Sequence, residues 1–184
     1  MKTLLHVGCG MERAPFPGWE IVRLDLDPAL RPDILASFVD MRDVRTGALV
    51  PDDTYDGIWC SHTLEHIAVH EVLPALKQFR RVLRKGGMCY IVVPNLVAAC
   101  KAVVDGNLEG ELYKSIAGPI SAHDMIYGYG PCLQKGQHLM LHKTGFSRKT
   151  LEDKMKAAGF AAVEAFEELT DGQVPNIGGR GKKL

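Results

Sequence analysis

The strongest constraint on this chain's fold comes at its start, where the apolar run Leu4-Leu5-His6-Val7 stops in Gly8-Cys9-Gly10. A short buried strand ending in paired glycines lets the backbone turn tightly and lets a ligand approach bare main chain, with no β-carbon in the way. This predicts a parallel-sheet fold with a nucleotide-like ligand at the strand ends. The rest of the chain decides which ligand.

With 184 residues the chain is expected to form one domain over 1–184, too short for separate cofactor and substrate domains. Its 22 Lys and Arg balance 22 Asp and Glu, so no global field gathers nucleic acid or an anionic membrane. The cysteines Cys9, Cys60, Cys89, Cys100 and Cys132 include no Cys-x-x-Cys pair and mostly sit in apolar runs. They read as buried thiols of a reducing compartment. No signal-like core follows Met1, and no run approaches membrane-spanning length, so the expectation is a cytoplasmic protein without a membrane span. Nothing in the sequence speaks to oligomeric state.

Apolar, β-branched runs alternate with helical stretches, the pattern of a Rossmann-like, doubly wound, mostly parallel sheet of about six or seven strands covered on both faces. Strands are predicted near 4–7, 21–25, 34–39, 55–60, 88–93 and 162–168. A helix is predicted over 70–85, with a stripe of Leu73, Leu76, Phe79, Val82 and Leu83, Pro74 in its first turn and Gly86-Gly87 at its end. A second is expected over 147–158, capped by Ser147 and closed by Gly159. Residues 96–145 open on a helix to about 104 and then become irregular. They read as a lid or substrate insertion, since long ordered loops in compact domains usually serve function. The glycine-rich tail 178–184 has poor strand propensity and is expected to be disordered.

Two acids sit at strand ends. Asp25 closes the second strand, where a carboxylate can accept both hydroxyls of a ribose; the alternative is a solvated acidic turn before Pro28. Asp40 follows the third strand, placed to accept from an exocyclic amine such as that of adenine.

The series now includes Gly-Cys-Gly after strand one, Leu24-Asp25-Leu26-Asp27 at strand two and Asp40 after strand three. It continues with Tyr55-Asp56-Gly57-Ile58 before Leu64-Glu65-His66, and with Leu83-Arg84-Lys85-Gly86-Gly87. In that order, over residues 4–95, it resembles the class I S-adenosylmethionine-dependent methyltransferases, with closest likeness to the methyltransferase type 11 group. The resemblance implies S-adenosyl-L-methionine as cofactor. It implies that Gly8, Cys9 and Gly10 pass under the methionine moiety and that Asp25 and Leu26 hold the ribose. Asp40 and the Met41 backbone would hold the adenine, and Ser61 and His62 would lie beside the reactive methyl.

Three departures stand out. His6 occupies the place of a usual acid, and Arg13 stands where a third small residue is common. The interval from Gly10 to Ile21 holds Pro15, Pro17 and Gly18, which leaves a shortened or missing first helix. The missing helix also argues against a dinucleotide site, which needs a helix N-terminus under its pyrophosphate.

His62-x-x-Glu65-His66 matches an inverted zinc-peptidase signature, and His70 continues its spacing. The motif directly follows a strand rather than lying within a helix, so zinc hydrolysis ranks third. A non-catalytic module that binds S-adenosylmethionine ranks second, and no metal ligand is assigned. His138-x-x-x-His142 has no acid or cysteine near it in sequence.

Methyl transfer from a sulfonium needs orientation and, for a hydroxyl or ammonium acceptor, a base. His62 and His66 are the catalytic candidates. Within the insertion, His123, Asp124, Tyr127, His138 and His142 lie among apolar residues and are the substrate-binding candidates. Strand four lacks the Asn/Asp-Pro-Pro-aromatic segment typical of enzymes that methylate exocyclic base amines. The expected acceptor is therefore a small-molecule or glycan-type hydroxyl.

Overall fold

The computed structural model describes residues 1–11, 14–115, 117–168 and 175–184. Arg13, one of the sequence departures, lies outside them. An eight-stranded sheet runs in the order β4-β3-β2-β1-β5-β6-β10-β9. Its strands are β1 (Thr3–Val7), β2 (Glu20–Asp25), β3 (Ile34–Ser37), β4 (Arg42–Asp43), β5 (Tyr55–Ser61), β6 (Leu83–Pro94), β9 (Ala161–Glu168) and β10 (Asn176–Lys182). β3, β2, β1, β5 and β6 are mutually parallel, while β4 pairs antiparallel with β3 and β10 pairs antiparallel with both β6 and β9. The mixed α/β, largely parallel sheet is as expected, with β4 and β10 added to the anticipated set.

Helix α1 (Val72–Val82) buries Val72, Ala75, Leu76, Phe79 and Val82, an apolar stripe at helical spacing with Arg80 and Arg81 off it. Pro74 is accommodated in the first turn, as predicted. Gly86-Gly87 does not end the helix. The chain passes straight from Val82 into β6, and the register jumps from Tyr55↔Leu83 to Gly57↔Met88, so the two glycines lie in a bulge inside the strand. α5 (Arg148–Ala157) starts from the predicted Ser147 cap, which forms a reciprocal capping box with Thr150.

The expectation of a disordered 178–184 is overturned. β10 is an interior strand, hydrogen-bonded from Asn176 to Lys182 along β6. Its glycines, which argued against a strand, let α5 press onto the sheet. A β-carbon at Gly179 would lie 2.8 Å from Leu151 Cδ2 and 3.0 Å from Met155 Sδ. Low propensity loses to tertiary packing here.

The core lies between the sheet and the α1 and α5 helices, where Leu5, Val7, Leu24, Ile58, Cys60, Cys89, Ile91, Val93 and Ile177 meet Phe79, Leu151 and Met155. Residues alternating to the opposite side form a half-buried aromatic row instead. Trp59 stacks on Tyr90 at 5.0 Å, Tyr90 meets Phe166 edge-on, and Phe16 from the β1–β2 loop packs edge-on against Trp59 and Trp19. No helix links β1 to β2 among the described residues, which fits the prolines and glycine of that interval. The two sheet faces are therefore covered unequally.

The insertion is more regular than its sequence suggests. α2 (Leu96–Val104), capped by Asn95, leads to a hairpin of β7 (Glu111–Ser115) and β8 (Gly118–Ser121), then to α3 (Ala122–Tyr127) and α4 (Gly130–Gln134). These share a small core of Ala99, Tyr113, Ile120, Ala122 and Met125. Cys9, Cys60 and Cys89 are buried as expected, whereas Cys100, on the outer side of α2, is exposed. No described helix is long and apolar enough to cross a membrane.

Candidate functional site

Strand order reverses between β1 and β5: β2 and β3 lie to one side, β6 to the other. Ligands of open α/β sheets bind outside the carboxyl ends of the strands at such a switch point. Gly8, Asp25, Ser37 and Ser61 end or directly follow neighbouring strands along that edge, so residues far apart in sequence form one contiguous rim.

Thr63 bridges the switch point. Its Oγ1 bonds to the Ser61 carbonyl at 2.9 Å and reaches the Val7 and Gly8 carbonyls at 3.4 Å. A β-carbon at Gly8, whose φ is +60°, would lie 2.2 Å from Thr63 Cγ2. Only glycine fits there. At Gly10, by contrast, an added β-carbon would meet nothing within 4 Å among the described residues.

Side chains of β2 hold this turn in place of the missing helix. Asp25 Oδ2 accepts the Gly10 N–H at 3.0 Å, and the Arg23 guanidinium donates to the Gly10 carbonyl at 3.0 Å and to Leu30 at 3.3 Å. Asp25 Oδ1 also accepts the Asp27 N–H at 3.0 Å. The Gly8 and Cys9 amides both donate to the Leu24 carbonyl. Arg23 and Thr63 were not singled out in the sequence. Arg23 could have been, because Arg23 and Asp25 share one face of a strand by simple alternation.

His6 is buried on β1, opposite Arg23 of β2. Burial first, then the Arg23 charge, pushes its pKa down to about 4 against a partial pull from Asp25. The imidazole is therefore neutral at pH 7.

Asp40 is exposed and accepts a long hydrogen bond, at 3.4 Å, from the Arg42 amide. Leu26 is 45% exposed. Met41 has both of its main-chain polar groups engaged within the turn. Its N–H donates to Ser37 and its carbonyl accepts from Val50, while its side chain is wholly buried, because a tight turn with φ of +52° follows β3.

Past β5, His62 takes φ of +48°, and only Leu64–His66 form a short 3-10 turn. His62 and His66 therefore do not share the helix that the peptidase signature requires. Glu65 is 1% exposed; His62 Nδ1 lies 3.6 Å from its Oε1, and His62 Nε2 lies 3.3 Å from the Asn176 amide nitrogen. Burial works against the ionised Glu65. The adjacent His62 and the charges of His62, His66 and His142 outweigh it, and the carboxyl stays below its ordinary pKa.

The insertion returns to this segment. Lys143 and Thr144 amides donate to the Glu65 carbonyl at 2.8 and 3.2 Å, and the His142 ring packs 5.0 Å from that of His66. Glu65 thus supplies in space the acid that His142 lacks among its sequence neighbours, while His138 is not part of the cluster. Burial keeps the His142 pKa below its usual value.

Among the other insertion candidates, Asp124 departs from the substrate-facing role expected of it. Its carboxylate caps α3 through Ser121 and also accepts the Gly130 N–H. His123 and Tyr127 are exposed and pair with each other at 4.9 Å. His138 is exposed on a 3-10 turn and, among the described residues, contacts neither His66 nor His142 through its ring.

A family model described as a methyltransferase domain matches residues 2–165. No curated protein matches the sequence. Among solved structures, the chain resembles the 1,6-didemethyltoxoflavin-N1-methyltransferase of Burkholderia thailandensis, solved with 1,6-didemethyltoxoflavin and S-adenosylhomocysteine. The TM-score is 0.59 at 16% identity, covering 100% of this chain and 71% of that one. It also resembles a SAM-dependent methyltransferase from Archaeoglobus fulgidus, with TM-score 0.62 at 15% identity over 99% of this chain and 86% of that one.

Proposed function

The chain belongs to the methyltransferase-domain family and is an S-adenosylmethionine-dependent methyltransferase; on that premise we propose that its acceptor is a hydroxyl of a small molecule or glycan. When bound, the cofactor supplies an electrophilic methyl group on a sulfonium. Two features of the rim fit it. The space over Gly10, free of neighbours among the described residues, lets a ligand approach the turn closely. Each Asp25 oxygen accepts one backbone N–H and retains a lone pair for a ribose hydroxyl. In this reading Gly8, Cys9 and Gly10 would hold the methionine end, Asp25 and Leu26 the ribose, Asp40 the adenine amine, and Ser61 and His62 the side of the methyl.

The observation that carries the acceptor class is the His62–Glu65 pair at 3.6 Å, at the carboxyl end of β5. An imidazole backed by a buried carboxylate is held in one orientation, which suits removal of a hydroxyl proton during methyl transfer. His62 is the proposed base, with a side chain 42% exposed; its Nε2 would exchange the Asn176 amide, 3.3 Å away, for the acceptor hydroxyl. Residues 96–145 would cover the acceptor, with His123 and Tyr127 on their exposed face. A small-molecule acceptor also agrees with the toxoflavin precursor of the Burkholderia neighbour, although that enzyme methylates a nitrogen.

The test is twofold. Calorimetric titration with S-adenosylhomocysteine should show binding that Asp25→Ala weakens at least tenfold. Labelled methyl should then pass to members of a hydroxyl-bearing small-molecule and sugar panel, and His62→Ala should lower kcat with little change in cofactor affinity. Label appearing only in amine acceptors would overturn the hydroxyl reading.

A further inference from the structure

We propose that Glu65, His66 and His142 form a binding site for one divalent transition-metal ion of the zinc type. One ligating atom from each residue lies within 4.8 Å of those of the other two. Among the described residues neither Glu65 carboxylate oxygen has a hydrogen-bond partner, although the side chain is almost wholly buried. The His62 ring, 3.6 Å from Oε1, is beyond hydrogen-bond distance, so the buried carboxylate keeps unfilled acceptor positions that a bound cation would occupy.

The imidazoles are oriented as ligands are. His66 Nδ1 lies 3.1 Å from the Leu141 carbonyl and His142 Nδ1 lies 2.9 Å from the Met125 carbonyl. A carbonyl only accepts, so each Nδ1 carries a proton, and in the neutral ring the Nε2 of each keeps a lone pair for a metal. Metal-bound histidines usually have their second nitrogen fixed by such a bond. Two imidazoles and a carboxylate favour zinc, iron, cobalt or manganese over the all-oxygen preference of magnesium and calcium.

The ligands come from two distant segments, Glu65-His66 after β5 and His142 at the return of the insertion. The Lys143 and Thr144 amides on the Glu65 carbonyl already bring these segments together. Three protein ligands leave a coordination position open, as in catalytic rather than structural zinc sites. Use of that position by an acceptor hydroxyl rests on the methyl-transfer reading above; the metal site does not.

The experiment is zinc titration of the chelator-stripped full chain against a chromophoric competitor, with a parallel cobalt titration read by visible absorption. One ion per chain is expected, with magnesium failing to compete. Glu65→Gln, His66→Ala and His142→Ala should each weaken binding at least 100-fold, while His70→Ala leaves it unchanged. Each variant's fold is verified by circular dichroism and S-adenosylhomocysteine binding. Absence of stoichiometric zinc, or zinc binding that survives all three substitutions, overturns the site. Cofactor binding without zinc binding removes the metal alone, and zinc binding without methyl transfer to hydroxyls removes the acceptor reading alone.

Discussion

Thr63 sits against Gly8 so closely that a β-carbon added to the glycine would lie 2.2 Å from Thr63 Cγ2. This contact joins the turn after β1 to the segment after β5 across the point where strand order reverses. Gly8→Ala should destabilise the fold by more than about 2 kcal/mol, from a left-handed φ and a steric clash together. Gly10→Ala, strained in φ but with free space, should cost only about 1 kcal/mol. Urea unfolding of both variants tests the ranking, and Thr63→Ala should recover part of the Gly8→Ala loss.

Arg23 and Asp25 together hold both polar groups of the Gly10 peptide. Arg23→Met keeps most of the side-chain stem but loses the bond to the Gly10 carbonyl. S-adenosylhomocysteine affinity should fall by roughly tenfold, the scale of one charged hydrogen bond. The melting temperature should move by only a few degrees. Unchanged affinity would show that the turn does not depend on Arg23.

His6 gives the stability a pH dependence. The unfolded residue titrates near 6.5, whereas burial and Arg23 bring the folded one down to about 4. Between these values the unfolded chain binds a proton that the folded chain does not. The contribution is complete above pH 6.5 and is lost as pH falls towards 4, by at most about 1.4 kcal/mol per pH unit. Urea midpoints at pH 7, 6 and 5 should fall less steeply for His6→Gln than for the natural chain. Parallel slopes would remove His6 as the source.

Gly179 lets α5 lie on β10. Gly179→Val should cost about 1–3 kcal/mol by overpacking against Leu151 and Met155. Combined with Leu151→Ala, which opens space at the same spot, the double variant should be more stable than the two single losses added together. Simple additivity in a double-mutant cycle would show that the two positions do not compete for that space.

Much of this was legible in the sequence because the relevant signals are local. The apolar run before Gly8, the stripe of α1 and the Ser147 cap depend on nearest neighbours along the chain, and each element formed where its pattern lay. Gly178-Gly179-Arg180-Gly181 misled for the opposite reason. Its strand is set by a helix pressing from one side and by partners on both edges, and none of these is encoded in the segment's own propensity. The post-β5 site was half legible. His62, Glu65 and His66 form a readable cluster, but His142 joins them only through the fold of the insertion. Met41 and Asp124 show that a polar or backbone group placed near a site can be engaged by a turn or a helix cap before any ligand arrives.

The placement of β10 also bears on synthesis. Because residues 176–182 lie between β6 and β9, the flank of β6 that they cover stays open and β9 lacks its partner until those residues emerge from the ribosome. Of the sheet's described strands, the interior β10 is thus made after all the others, and the rest wait with an open flank until it arrives.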